Sequence, residues 1–217
     1  MQKAIVIGAT GLVGRQLVEL LLENAHFYKV VVFTRRSLGI QNKILEENII
    51  NFDAPATWQH LVTGDVLFSA LGTTLKQAGS KEKQYLIDHT YQYHFAKAAA
   101  GNGIPAYVLV SSAGANARSN LFYNKMKGEL ENDIQQLNFV STTILQPGLL
   151  HGKRQDERVG EKIAFKILRF INKLGIAKRY RPIDAKIVAA AMINAAIKAK
   201  QGVQVYTLNE VFRLGGE

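Results

Sequence analysis

A chain of 217 residues that is 47% hydrophobic and free of low-complexity tracts is long enough to fold around a sizeable core, and a single domain is expected. The absence of cysteine excludes disulfides, thiolate zinc sites and cysteine nucleophiles, and the compartment expected on that ground is the reducing cytoplasm. A net charge of +10 suits an anionic small ligand, an anionic membrane or nucleic acid, but no helix-turn-helix, zinc-finger or ribonucleoprotein pattern accompanies it, so no nucleic-acid partner is expected. No signal peptide is expected ahead of the first apolar run, and no stretch approaches the ~20 apolar residues of a membrane span.

Residues 4–7 (Ala-Ile-Val-Ile) read as a strand buried on both faces. Gly8, Gly11 and Gly14 follow, and then an apolar-periodic run through Leu12, Leu17, Val18 and Leu21 that suits a helix packed on a sheet. Strand, glycine turn and helix is the order of a dinucleotide site. The first glycine makes the turn, the second admits the pyrophosphate and the third lets helix and strand approach. The helix N-terminus offers free N–H groups and a partial positive charge to the phosphates. The spacing is G-x-x-G-x-x-G, so the alternative of a ligand-free β-α turn stays open on these residues alone.

Residues 29–34 read as a second strand that ends in Arg35 and Arg36. Where NAD sites place a carboxylate for the ribose 2′-hydroxyl, this chain offers two guanidinium groups, which pair with a 2′-phosphate. NADP (as NADPH) is therefore expected over NAD, the alternative being a solvated arginine pair. Residues 48–52 read as a third strand with Asp53 at its end, placed either to touch the adenine edge or to cap the next turn. The crossover at residues 37–48 has poor helix character. Residues 65–70 read as a fourth strand closing on Leu71-Gly72-Thr73-Thr74, where glycine and small hydroxyl residues permit close approach to a cofactor.

Residues 76–83 are polar and read as an exposed loop, followed by a long helix over 84–101 that Gly101, Gly103 and Pro105 end. Residues 106–110 form a fifth strand closed by Ser111-Ser112-Ala113-Gly114, residues 121–137 a helix, and residues 139–145 a sixth strand broken by Pro147-Gly148. An amphipathic basic helix over 161–174, a helix over 183–199 and a last strand over 203–208 complete the pattern. Strands alternating with helices predict an α/β doubly wound parallel sheet of about seven strands, with its site at the strands' carboxyl ends.

Tyr123 and Lys127 are one helical turn apart and share a face, and Ser111-Ser112 closes the preceding strand on the side of the glycine loop. A phenol, with an ordinary pKa near ~10, supplies a proton to a carbonyl oxygen that accepts hydride. A neighbouring ammonium eases that transfer and holds ribose, and a serine hydroxyl bonds the developing oxyanion. The five histidines are scattered and no H-E-x-x-H occurs, so no metal site is expected.

On Gly8-Ala9-Thr10-Gly11-Leu12-Val13-Gly14, Ser111-Ser112, Tyr123-x-x-x-Lys127 and Pro147-Gly148, the chain resembles the short-chain dehydrogenase/reductase superfamily in its extended and atypical branches. More narrowly it is similar to the Tat-interactive-protein group of oxidoreductases, through Leu71-Gly72-Thr73-Thr74, Ser111-Ser112-Ala113-Gly114-Ala115 and Arg154-Gln155 with Arg158-Val159-Gly160-Glu161. The resemblance implies a Rossmann domain with a small C-terminal substrate-side extension. It places Gly8, Thr10, Gly11, Leu12 and Val13 along the pyrophosphate, Arg35 and Arg36 at the 2′-phosphate, and Leu71 and Gly72 by the adenosine. It makes Tyr123 and Lys127 the catalytic pair, with Ser112, or alternatively Ser111, as partner, and sets Pro147 and Leu149 behind the nicotinamide. The superfamily's additional asparagine finds no clear counterpart. The implied activity is NADPH-dependent oxidoreduction of a small carbonyl or hydroxyl compound. The rival is a regulatory or interaction protein that binds NADPH with little turnover. The oligomeric state is open, a homodimer included.

Overall fold

The structure is a computed structural model that describes residues 1–151 and 181–217. Its strands are β1 (Gln2–Ile7), β2 (Phe27–Thr34), β3 (Leu45–Ile49), β4 (Val66–Ser69), β5 (Ala106–Val110), β6 (Ser141–Gln146), β7 (Leu150–His151), β8 (Ile183–Asp184) and β9 (Gly202–Thr207). Its α-helices, numbered in the same way, are α1 (Leu12–Glu23), α2 (Leu75–Ala78), α3 (Lys81–Tyr85), α4 (Tyr91–Gly101), α5 (Phe122–Gln135), α6 (Ala185–Ile197) and α7 (Asn209–Leu214). Seven strands form one wholly parallel sheet in the order 3-2-1-4-5-6-9, and β7 pairs with β8 separately.

Side-chain alternation divides the core between the two faces of the sheet. Val6, Val32, Phe68 and Val108 face α1, α6 and α7. Ile5, Val31, Leu67, Tyr107 and Leu109 face the other way, onto Phe95 and Ala99 of α4 and Leu130 and Ile134 of α5. On that face the Trp58 ring stacks on Phe95 at 4.0 Å. Both faces are covered, as a doubly wound Rossmann-type sheet requires, and the inner strands are correspondingly apolar throughout. The strand order reverses between β1 and β4. That switch point opens a crevice at the strands' carboxyl ends.

Three expectations are corrected. The third strand is Leu45–Ile49, not residues 48–52. Pairing of Val30 through Thr34 with Leu45 through Ile49 outweighs the apolar content of the later stretch, because an edge strand tolerates exposed glutamates. Asp53 therefore lies beyond the strand in a turn. Second, residues 76–83 are largely helical. The Thr74 hydroxyl accepts from the Gln77 N–H and starts α2, and the Ser80 hydroxyl accepts from the Lys83 N–H and starts α3. Third, strands and helices do not alternate throughout. No helix joins β2 to β3, and only short 3₁₀ turns, Pro55–Thr57 and Gln59–Leu61, lie between β3 and β4. Helix α3 runs through a π-turn at Leu86–Thr90 into α4, so the long helix begins at Lys81. Helix α7 was not foreseen, and the expected amphipathic helix over 161–174 lies outside the described residues.

Candidate cofactor site

The glycine turn is built by contacts that no side chain permits. Gly8 has φ +84°, and a Cβ there would come within 2.4 Å of the Ala70 and Leu71 backbone. A Cβ on Gly14 would come within 2.1 Å of the Gly8 carbonyl oxygen, so α1 is held against the turn itself. The Gly11 N–H donates to that carbonyl at 2.9 Å, and Gly11 is the N-cap of α1 without any side-chain cap. The first N–H groups of α1 thus stay open to an anion at the switch point. Thr10 is exposed and Leu12 half-buried, whereas the Val13 side chain is 5% exposed and belongs to the core. Val13 has only its backbone to offer a phosphate.

Beside this turn, Thr10, Thr34, Arg35 and Arg36 line a recess of about 350 Å³. The Thr34 hydroxyl donates to the Arg36 carbonyl at 2.9 Å and closes the turn that presents both arginines to solvent. The next loop is tied to β3, since Glu47 accepts from the Ser37 hydroxyl at 2.6 Å and the Leu38 N–H at 2.8 Å. Asp53 does not cap the turn: its N–H donates to Asn51 Oδ1 at 3.0 Å, so Asn51 makes that turn. The exposed Asp53 carboxylate accepts from the Tyr91 hydroxyl instead. Burial, with that hydrogen bond to Asp53 next, pushes Tyr91 up to about 12.

Across the crevice, Leu71 packs on the core beneath α4 and Gly72 is exposed. The loop they belong to is held by a polar stripe absent from the sequence expectations. Gln84, Asp88 and Gln92 are 4%, 1% and 0% exposed and follow one another every four residues through the π-turn. The Thr73 N–H donates to Asp88 Oδ2 at 2.8 Å, and Gln84 donates to the Thr73 carbonyl at 3.4 Å. Gln92 donates to the Asp88 carbonyl and accepts from Ser69 Oγ at 2.7 Å. Burial pushes the Asp88 carboxyl up to about 6, against the opposing pull of Lys127 and the Thr73 N–H. The signal that finds this stripe is a four-residue repeat of polar side chains within an otherwise apolar helical face.

The predicted catalytic residues stand at the carboxyl end of β5 and in the first turns of α5. Ser111 is 6% exposed, and its hydroxyl has no hydrogen-bond partner among the described residues. Strand alternation carries it, after Tyr107 and Leu109, to the face of α4 and α5. Ser112 is half-buried, its hydroxyl 3.4 Å from the Ala113 carbonyl. Tyr123 is 39% exposed and Lys127 is 3% exposed. Among the described residues no hydrogen bond joins Ser112, Tyr123 and Lys127. Gly128 lets the loop at Asn116–Ala117 lie directly on α5, since a Cβ there would come within 2.2 Å of that backbone. Pro147 is buried and its carbonyl accepts from the Ala113 N–H at 2.9 Å, while Leu149 is half-buried beside it.

Residues 8–166 match the family model described as NAD(P)H-binding. The chain belongs to the NAD(P)H-binding family. Among family relatives, the Aspergillus fumigatus protein named fmp52, mitochondrial, is 36% identical over 230 residues, covering 100% of this chain and 96% of the relative. The Candida albicans protein FMP52, mitochondrial, is 37% identical, covering 98% and 94%. A short-chain dehydrogenase/reductase superfamily protein from Agrobacterium tumefaciens, solved with bound NAD, shares the fold at a TM-score of 0.71 and 14% identity, over 95% of this chain and 77% of that one. The relatives' names overturn the expectation of a cytoplasmic location. A cysteine-free composition limits disulfide chemistry but carries no address. Within this NAD(P)H-binding chain, the glycine turn and the arginine-lined recess flank the same crevice.

Proposed function

We propose that the chain is an NADPH-dependent oxidoreductase acting on a small carbonyl or hydroxyl compound. The observation that carries this is the arginine-lined recess beside the glycine turn, with Thr10 lining it from the turn side and Thr34, Arg35 and Arg36 from β2. The open N–H groups of α1 suit a pyrophosphate. Two guanidinium groups at the end of β2, where NAD sites place a carboxylate, suit a 2′-phosphate better than a bare ribose diol. Gly8, Gly11 and the N-terminus of α1 would hold the pyrophosphate, Arg35 and Arg36 the 2′-phosphate, and Leu71, Gly72 and Asp53 the adenosine side. Pro147 and Leu149 would back the nicotinamide.

When bound, the nicotinamide supplies or accepts a hydride. The protein's part is proton handling and orientation. Tyr123 would hold the proton destined for the substrate oxygen. The buried Lys127 would bind ribose and lower the phenol's affinity for that proton. Ser112, with Ser111 as the alternative, would donate a hydrogen bond to the oxyanion. The mitochondrial names of the relatives are the ground for proposing the same compartment here. Since both apolar cores share one sheet, we also take the chain as a single domain.

Titration with NADPH and NADH, followed by assay on a carbonyl panel, tests the reading. NADPH is expected to bind more tightly, and its oxidation to depend on a carbonyl. Equal affinity for the two dinucleotides removes the 2′-phosphate assignment. The exposure of Tyr123, unbonded to Ser112 or Lys127, favours a second reading: a regulatory protein that holds NADPH with little turnover. That reading expects tight NADPH binding with no oxidation on any carbonyl, and a partner retained in only one cofactor state.

A further inference from the structure

We propose that Leu208 is a positioning residue for the nicotinamide side of the crevice, held in a strained turn so that its side chain and its N–H together fix the loop of residues 147–149. The inference rests on the reading of Pro147 and Leu149 as the backing of the nicotinamide. It starts from an anomaly at the end of β9. Leu208 has φ 43° and ψ −107°, and among the described residues it is the only non-glycine with a positive φ. These angles lie near those of the first central residue of a type II′ turn, where glycine is the ordinary choice. A leucine there stands in a sparsely populated region, which persists only where the surroundings over-determine it.

The surroundings do so. Before Leu208, the Thr207 N–H and hydroxyl both donate to Glu210 Oε2, at 2.8 and 3.0 Å. After it, the Leu208 carbonyl accepts from the Val211 N–H at 3.1 Å, and Val211 and Phe212 anchor α7 in the core. Glycine would keep each of these bonds without strain, so the side chain has to account for the leucine. It is 8% exposed, and a Cβ on Gly148 would lie 3.5 Å from Leu208 Cδ2. The Leu208 N–H donates to the Gln146 carbonyl at 3.0 Å. Leu208 thus straddles Pro147, holding the residue before it by backbone and the residue after it by side chain. Elsewhere the loop is held by the Ala113 N–H on the Pro147 carbonyl and the Ile183 N–H on the Leu149 carbonyl, both at 2.9 Å. At Gly148 the leucine side chain is joined only by the Arg181 carbonyl oxygen, 3.7 Å from the same Cβ position.

The test titrates the whole protein with NADPH and with adenosine 2′,5′-bisphosphate, which has the 2′-phosphate but no nicotinamide. Leu208→Ala keeps the strained backbone and loses the contact with Gly148. Leu208→Gly loses both, and Leu208→Met restores a side chain of similar volume. The Ala and Gly variants are expected to lose about tenfold in NADPH affinity, with the bisphosphate affinity within about twofold of native and the Met variant native-like for both ligands. In urea, Leu208→Gly is expected to outlast Leu208→Ala, the reverse of the order at an unstrained site. A purely structural role would move both ligands alike. Equal losses, no loss, or a Gly variant that unfolds before the Ala variant overturn the inference. Should neither variant fold, the native protein decides. The Leu208 methyl signals, assigned by their loss in Leu208→Met, are expected to shift with NADPH and stay in place with the bisphosphate, and methyls that treat the two ligands alike overturn the inference. Native protein that binds neither ligand removes the proposed function and this inference with it. Native binding with NADPH affinity unmoved in the variants removes this inference alone.

Discussion

Gly14 of α1 lies so close to the carbonyl of Gly8 that a Cβ on Gly14 would stand 2.1 Å from its oxygen. The contact joins two residues of the glycine turn rather than helix and strand, and both partners are backbone, so neither can give way. Gly14→Ala is expected to destabilise the fold by roughly 1–3 kcal/mol, the cost of overpacking, and to weaken dinucleotide binding at the same time. Gly101→Ala is the control, since nothing lies within 4 Å of its Cβ. Urea unfolding and dinucleotide titration of both variants check this, and equal stability of the two would refute the assigned role of Gly14.

Arg35 and Arg36 form no ion pair with another side chain among the described residues, and both are exposed at the recess. Replacing both by alanine is expected to lower NADPH affinity by roughly 10- to 100-fold, the worth of lost charge-assisted hydrogen bonds, with NADH affinity little changed. Parallel losses for the two dinucleotides would show that the arginines act on the general field and not on the 2′-phosphate.

Tyr123→Phe removes one hydroxyl from an exposed position, so little stability is at stake. Turnover is expected to fall by roughly 10²- to 10⁴-fold, with NADPH affinity close to native. Undiminished turnover would move proton delivery to another group.

Asp88 gives a pH-dependent prediction whose sign follows from linkage. Its folded value of about 6 lies above its ordinary 3.8, so between these values the folded state binds more protons than the unfolded state. The Asp88 contribution to stability therefore worsens as pH rises through that window, by roughly 3 kcal/mol in total. Asp88→Asn lacks this dependence. Denaturant unfolding at pH 4 and pH 7 should show the native protein losing roughly 2–2.5 kcal/mol relative to the variant, the rest of the change lying below pH 4. A constant difference between the two proteins would mean that Asp88 titrates at its unfolded value.

The parts of this fold that can be read from the chain are those set by local chemistry. The run Ala4-Ile5-Val6-Ile7, stopped by Gly8, carries its own strand and turn, and β5 falls on Ala106–Val110 as its β-branched content indicates. Strand β3 escapes such a reading because Leu45-Glu46-Glu47-Asn48-Ile49 is half-exposed and polar, and pairing with β2 decides it. Helices α2 and α3 are too short for periodicity to register, and their caps, Thr74 and Ser80, are what mark them. In the crevice the glycines and arginines are legible because their backbone freedom and charge are intrinsic. Asp88 is not, because a lone acid in a helix acquires meaning only from Thr73, fifteen positions earlier, and Lys127, on another helix.

Helix Ala185–Ile197 covers the apolar flank that β5 and β6 share with α1, and Gly202–Thr207 is the outermost rung beyond β6. Translation therefore delivers the half that carries the glycine turn long before its roof. Until that roof emerges, the nascent chain shows Val108, Val110 and Leu145 to whatever surrounds the ribosome, an interval in which chaperones guard against clumping.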